Sequence, residues 1–233
     1  MLSVGEIRST ARQILNGKWK DAALLNVIPV LIAIIFTGEA SNTLDFFGIE
    51  FFDQNVVNEA TEYGMNNFIN FKSIIVDLVA ILFATGVAFT LLDLVRNSHS
   101  KIDPLSDSLR IFKQGHVIQV LAIYIITGFF VILWSLLLII PGIIASLAYS
   151  QAYYIYKDSE ANGENLTVMD CISRSKELMA GYKGKLFLLE LSFIGWHLIG
   201  ALTFGLGYLF ITPYIQTAKA VFYNDLLDNS QVY

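Results

Sequence analysis

Between Val117 and Tyr156 the chain runs forty residues without an Asp, Glu, Lys, Arg or His, and only Pro141-Gly142 interrupts the run. As one helix it would extend roughly 60 Å at about 1.5 Å per residue. The hydrocarbon core of a bilayer is only about 30 Å thick, so the run predicts two membrane crossings folded at the Pro-Gly pair. Composition agrees: 55% of the 233 residues are hydrophobic and 15% charged, against about 25% charged in soluble domains. The chain reads as all-α and polytopic, a single integral membrane domain over residues 1–233.

Apolar runs place six transmembrane helices at Ala22–Thr37, Ser73–Val95, Val117–Ile140, Pro141–Tyr156, Leu186–Leu202 and Leu206–Tyr223. They pair as three hairpins, the first interrupted by an acidic loop at 38–72. Basic residues cluster before span one (Arg8, Arg12, Lys18, Lys20), between spans two and three (Arg96, Lys101, Arg110, Lys113), and between spans four and five (Lys157, Arg174, Lys176, Lys183, Lys185). With six spans these segments share one side, and the positive-inside rule makes it cytoplasmic, with both termini. The loop has Glu39, Asp45, Glu50, Asp53, Glu59 and Glu62 and no basic residue before Lys72, so it faces outward. The polar N-terminus does not read as a signal peptide. The lone cysteine, Cys171, forms no internal disulfide and reads as a free thiol.

Each hairpin is preceded by a basic amphipathic segment: 1–21, the stretch from 103, and the stretch from 167. Aligned on Gly17 and Gly181, the first and third match Ser3 with Thr167, Glu6 with Asp170, Arg12 with Lys176 and Leu15 with Met179. The middle copy is weaker but places Arg110 and Gly115 correspondingly. Gly17 to Gly115 spans 98 residues and Gly115 to Gly181 spans 66; the excess of 32 is about the length of the acidic loop. Either the chain is a threefold repeat with one insertion, or ordinary capping chemistry makes these segments look alike. Such helices lie in the headgroup plane, each cation attracting anionic lipid at about 1 kcal/mol, or they cap the bundle from the cytoplasm. Arg8, Arg12, Lys18, Arg174, Lys176 and Lys183 are the candidate headgroup contacts.

Several stretches are similar to a bacterial integral membrane family catalogued only as domain of unknown function 975. They are FFVILWSLLLIIPGIIASLAYSQAYYIYKD (Phe129–Asp158), SRSKELMAGYKGKLFLLELSFIGWHLIGALTFGLGYLFITPYIQTAKAVFYNDL (Ser173–Leu226) and the opening IRSTARQILNGKWKDAALL. The resemblance covers nearly the whole chain except the outer loop. It implies a polytopic membrane protein, mostly of Firmicutes type, with no assigned reaction. The family is also distantly similar to the membrane domain attached to some glycerophosphodiester phosphodiesterases, whose catalytic domain has no counterpart here.

Ionisable groups inside lipid cost roughly 2.5–3.5 kcal/mol each at mid-bilayer, which makes them functional candidates. Glu190 and His197, seven apart, share one face of span five, and Lys219 of span six can reach Glu190 if the two spans pack antiparallel. The face is either a protonatable lining or an interhelical hydrogen bond. Asp77 and Asp93 stand near the two ends of span two. Gly195 and Gly200 suit close helix packing. No phosphate-binding glycine loop, HExxH, CxxC or serine nucleophile elbow occurs, and no histidine pair has metal-ligand spacing. No catalytic residue, cofactor, metal or nucleic-acid partner is expected. The expected partners are membrane lipids and a protein partner or a second copy of the chain. The sequence thus points to a non-enzymatic envelope, stress or immunity factor that binds lipid or a partner. The alternative is a small transporter or permease using the Glu190/His197 face.

Overall fold

A computed structural model describes residues 1–27, 71–98, 100–137, 139–203 and 206–229. Every regular element among them is helical: α1 (Val4–Leu15), α2 (Trp19–Leu25), α3 (Phe71–Arg96), α4 (Pro104–Ser108), α5 (Arg110–Gln114), α6 (Val117–Leu137), α7 (Ile139–Tyr149), α8 (Ala152–Asn162), α9 (Val168–Leu178), α10 (Lys183–Leu191), α11 (Ile194–Leu202) and α12 (Tyr208–Asn229). The outer loop and most of the first predicted span lie outside the described residues.

Among the described residues, two helices are long and apolar enough to cross a membrane: Asp77–Arg96 within α3 and Val117–Leu136 in α6. They differ in surroundings. The α3 stretch is largely enclosed, with Phe83, Phe89, Leu91 and Leu92 in the core. The α6 stretch instead turns Ile118, Ile125, Phe129, Ile132 and Leu136 outward, all more than half exposed. An apolar surface of that extent marks a face made for lipid or protein.

α12 is the central post, packing on α1, α2, α3 and α11. It carries Pro213 inside the helix, and the Thr217 hydroxyl donates at 2.6 Å to the Pro213 carbonyl one turn back. α6 and α7 run back along each other, with Phe130 and Tyr149 rings 6.0 Å apart. The break between them falls after Leu137, ahead of the predicted Pro141-Gly142 turn. Proline needs no amide donor in a first helical turn, so Pro141 starts α7 rather than ending α6. Gly142 is the close-approach point, because a Cβ there would run into Ser135.

The predicted fourth span is not one helix: it divides at Ser150-Gln151. Ser175 of α9 takes up the loose backbone there, donating its hydroxyl to the Ala148 carbonyl at 2.8 Å and accepting from the Gln151 amide at 3.2 Å. The predicted fifth span divides likewise at Ser192-Phe193. The backbone tightens there: the Phe193 amide bonds back to Glu190 at 2.9 Å and the Trp196 amide to Phe193 at 2.9 Å.

α1 and α9 are built alike. Each opens with a reciprocal cap, Ser3 with Glu6 and Thr167 with Asp170. Each is followed by a glycine in the left-handed region, Gly17 at φ +79° and Gly181 at φ +82°, where a side chain would be strained. Ile7, Ala11 and Leu15 on α1, and Cys171 and Ser175 on α9 with Met179 at its C-cap, are fully buried. Both apolar faces therefore pack on protein: α1 against α12, and α9 against α7 and α8. The middle segment differs, being two short helices joined at Leu109 and closed by Gly115 at φ +75°.

Candidate functional site

Glu190 and Lys219 stand 3.2 Å apart, an ion pair joining α10 to α12. The antiparallel packing this requires is carried by Phe193 and Trp196, whose rings meet Tyr214 edge-on at 5.4 and 5.7 Å. His197 lies beyond the Ser192-Phe193 break, so the continuous Glu190–His197 helix face expected from the spacing is interrupted. The Tyr208 hydroxyl donates to the His197 carbonyl at 3.1 Å, and the two rings lie 5.9 Å apart. His197 Nδ1 is buried without a hydrogen-bond partner among the described residues.

The expected headgroup contacts divide. Arg8 turns inward: its guanidinium lies 5.4 Å from the centre of the Phe193 ring, and its Nε donates to the Tyr214 hydroxyl at 3.4 Å. Lys18 donates to the backbone carbonyls of Ser98 and Ser100. Arg174 pairs with Glu164 at 2.8 Å. Arg12 and Lys176 are exposed and Lys183 is half-buried.

A denser charge cluster gathers where α3, α5, α8 and α12 meet; the sequence marks Asp93 as a span-end charge and Arg96, Arg110 and Lys157 only as orienting cations, not as partners. Asp93 accepts from both Lys157 and Arg110. One turn on, Arg96 grips Asp158 with both terminal nitrogens, and the Tyr223 hydroxyl donates to the same carboxylate at 2.7 Å. Tyr223 in turn stacks on Tyr154 at 5.0 Å. Burial pulls the Lys157 ammonium below its ordinary value, with the Asp93 carboxylate acting against that. A hydrogen bond of 2.9 Å between Tyr156 and His116 ties the start of α6 to α8. The available signal was two pairs of opposite charge at span ends, Asp93 with Arg96 and Lys157 with Asp158. Sequence shows such pairs but not which will meet.

Beside this cluster opens a polar cleft of about 360 Å³ between α3 and α4–α5, lined by Thr90, Asp93, Ser100, Lys101, Ser106, Asp107, Arg110, Lys113 and Gln114. Lys113 donates to the Ser106 hydroxyl at 2.8 Å, and the Asp107 carboxylate accepts the Asp103 amide at 3.0 Å. Lys101 and Lys113 are exposed. Among the described residues no three His, Cys, Asp or Glu side chains converge as a metal site would need. The arrangement can bind and orient an anion.

No curated protein and no solved structure matches the chain. A family model described as "Protein of unknown function (DUF975)" matches residues 1–144 and 136–230. The matches together span nearly the full length, through both the charge cluster and the Glu190–Lys219 pair, and the chain belongs to the DUF975 family.

Proposed function

We propose that this chain is a multi-pass protein of a bacterial cytoplasmic membrane, with six spans in three hairpins and both termini inside. It acts without chemistry, binding lipid or a protein partner as an envelope, stress or immunity factor. The observation that carries this reading is the Glu190–Lys219 pair at 3.2 Å. Glu190, one of the two groups expected to line a transport path, instead links two helices through Lys219, as a structural interhelical contact would. The matched caps and buried triplets of α1 and α9 support a repeated unit of cytoplasmic helix plus hairpin.

One observation favours the alternative of a small transporter. The helix break at Ser192-Phe193 and the unpartnered His197 Nδ1 resemble the interrupted helices of repeat-built carriers. Proteoliposomes loaded with a pH-sensitive dye and energised with an ion gradient separate the two. The binding reading expects no flux above empty vesicles, and lipid retention unchanged by Glu190→Gln and His197→Ala. Flux that these substitutions abolish would overturn it.

A further inference from the structure

We propose that the cleft between α3 and α4–α5 holds the phosphate of one anionic phospholipid. Lys101 and Lys113 are its cationic partners, Ser106 its hydroxyl donor, and Leu105, Leu109 and Phe112 the surface along which its acyl chains lie. The inference rests on the lipid-binding reading above and names its ligand and its place.

Of the three basic amphipathic segments, the first and third bury their apolar faces in protein. The middle one also sends Ser108 and Ile111 into the core, but it leaves a second apolar stripe outside. Leu105, Leu109 and Phe112, spaced by four and three residues, are 68%, 37% and 41% exposed. Leu105 on α4 and Phe112 on α5 flank the Leu109 junction, and the residue after each of them, Ser106 and Lys113, lines the cleft. Headgroup-binding atoms and acyl-binding carbons are thus neighbours on one short element.

The depth of that element suits the assignment. Gly86, in the middle of the membrane-length stretch of α3, is where α4 presses in; a Cβ there would lie 3.3 Å from the Asp107 carbonyl. Phe112 packs on Phe83, with ring centres 5.4 Å apart, against the apolar part of α3. The cleft opens one to two turns further toward the charged end, at Thr90 and Asp93. The apolar stripe therefore lies toward the middle of α3 and the cations toward its charged end, the order in which acyl chains and phosphate follow one another in a phospholipid.

Charge selects an anion. Lys101, Arg110 and Lys113 outnumber Asp93 and Asp107 in the lining, and Asp93 is shared between Arg110 and the buried Lys157. The Asp107 carboxylate already accepts a backbone amide. A single phosphodiester charge meets this surplus, and the volume lies at the small end of the roughly 300–1,000 Å³ of ligand sites.

The full-length protein in mild detergent, titrated by native mass spectrometry with phosphatidylglycerol and with phosphatidylcholine of the same acyl chains, tests the assignment. One phosphatidylglycerol is expected to be retained in preference. K101Q/K113Q should weaken that adduct about tenfold or more, at roughly 1 kcal/mol per cation, and leave phosphatidylcholine unchanged. Phe112→Ser should weaken both lipids, and soluble glycerol phosphate should not compete. Both lysines are exposed, so K101Q/K113Q should unfold at the wild-type temperature. Equal retention of the two lipids, or competition by glycerol phosphate with no effect of Phe112→Ser, would overturn the proposal. If R12Q/K176Q removes the adduct and K101Q/K113Q does not, this site fails while lipid binding stands. If the wild type retains no lipid at all, the lipid-binding arm of the underlying reading fails too.

Discussion

Arg96 holds both carboxylate oxygens of Asp158, and Tyr223 donates to one of the same oxygens at 2.7 Å. Asp158 thus joins three helices, α3, α8 and α12, far apart in sequence. Its side chain is 13% exposed and that of Arg96 34%. Truncating the carboxylate leaves a guanidinium and a hydroxyl half-buried without their acceptor. Asp158→Ala is expected to cost about 2 kcal/mol. Asp158→Asn, which keeps an acceptor for Tyr223, should cost less. Thermal unfolding in detergent checks the order, and an Arg96→Met/Asp158→Ala cycle should show coupling between the two sites.

The Glu190–Lys219 pair gives a related test. Its side chains are 20% and 30% exposed, so solvent screens it only partly. Glu190→Gln and Lys219→Met are each expected to destabilise by about 1 kcal/mol. The double substitution should lose less than the two together, because no charge is left unpaired. Strict additivity in urea or thermal melts would show that the pair contributes nothing as a pair.

Gly200 and Gly195 look equivalent in sequence but not in the fold. A Cβ on Gly200 would lie 2.7 Å from the Tyr208 ring, which is itself 1% exposed and held through the His197 carbonyl. A Cβ on Gly195 meets nothing within 4 Å. Gly200→Ala should therefore destabilise by roughly 1–3 kcal/mol. Gly195→Ala should be neutral or slightly stabilising, since it exchanges glycine for a better helix former. Melting temperatures of the two variants in one detergent settle the contrast.

Local chemistry was legible in the sequence, and long-range pairing was not. The caps of α1 and α9 follow from residues three apart, and their glycine stops from a residue type suited to positive φ. α3 matched its predicted span within two residues at either end, because a continuous apolar run leaves little choice of register. The breaks at Ser150-Gln151 and Ser192-Phe193 carry no proline or glycine. The first is held by Ser175, reaching in from a helix a full element away. Glu190 with Lys219 could be foreseen, since adjacent antiparallel spans bring them level. Asp93 with Lys157 and Arg96 with Asp158 depend on how α8 packs against α3, which no local spacing encodes.

Cys171 occupies the place on α9 that Ile7 holds on α1, and it is fully buried. Burial, with the neighbouring Asp170 carboxylate adding to it, pushes its thiol up to about 11. The thiolate is the reactive form, so the native protein should resist maleimide at pH 7.5 and react only after denaturant opens α9. Mass spectrometry of adduct formation with and without denaturant measures this. Rapid labelling of the folded protein would place Cys171 on an accessible surface and contradict the packing.

The two reciprocal caps predict an acid-labile start to both α1 and α9. Backbone and hydroxyl hydrogen bonds from Ser3 hold the Glu6 carboxyl below its ordinary 4.5, and bonds from Thr167 hold Asp170 below its ordinary 3.8. Both folded values are depressed, so the stabilisation is fully present above the ordinary values and is lost as pH falls through the folded ones. Amides in the first turns of α1 and α9 should thus lose protection as pH drops from about 5 toward 3, as an increase in hydrogen exchange beyond the intrinsic pH effect. Ser3→Ala and Thr167→Ala should each cost about 1 kcal/mol at neutral pH, and the corresponding acid step should then shrink. An undiminished acid step in these variants would place the protonation event elsewhere.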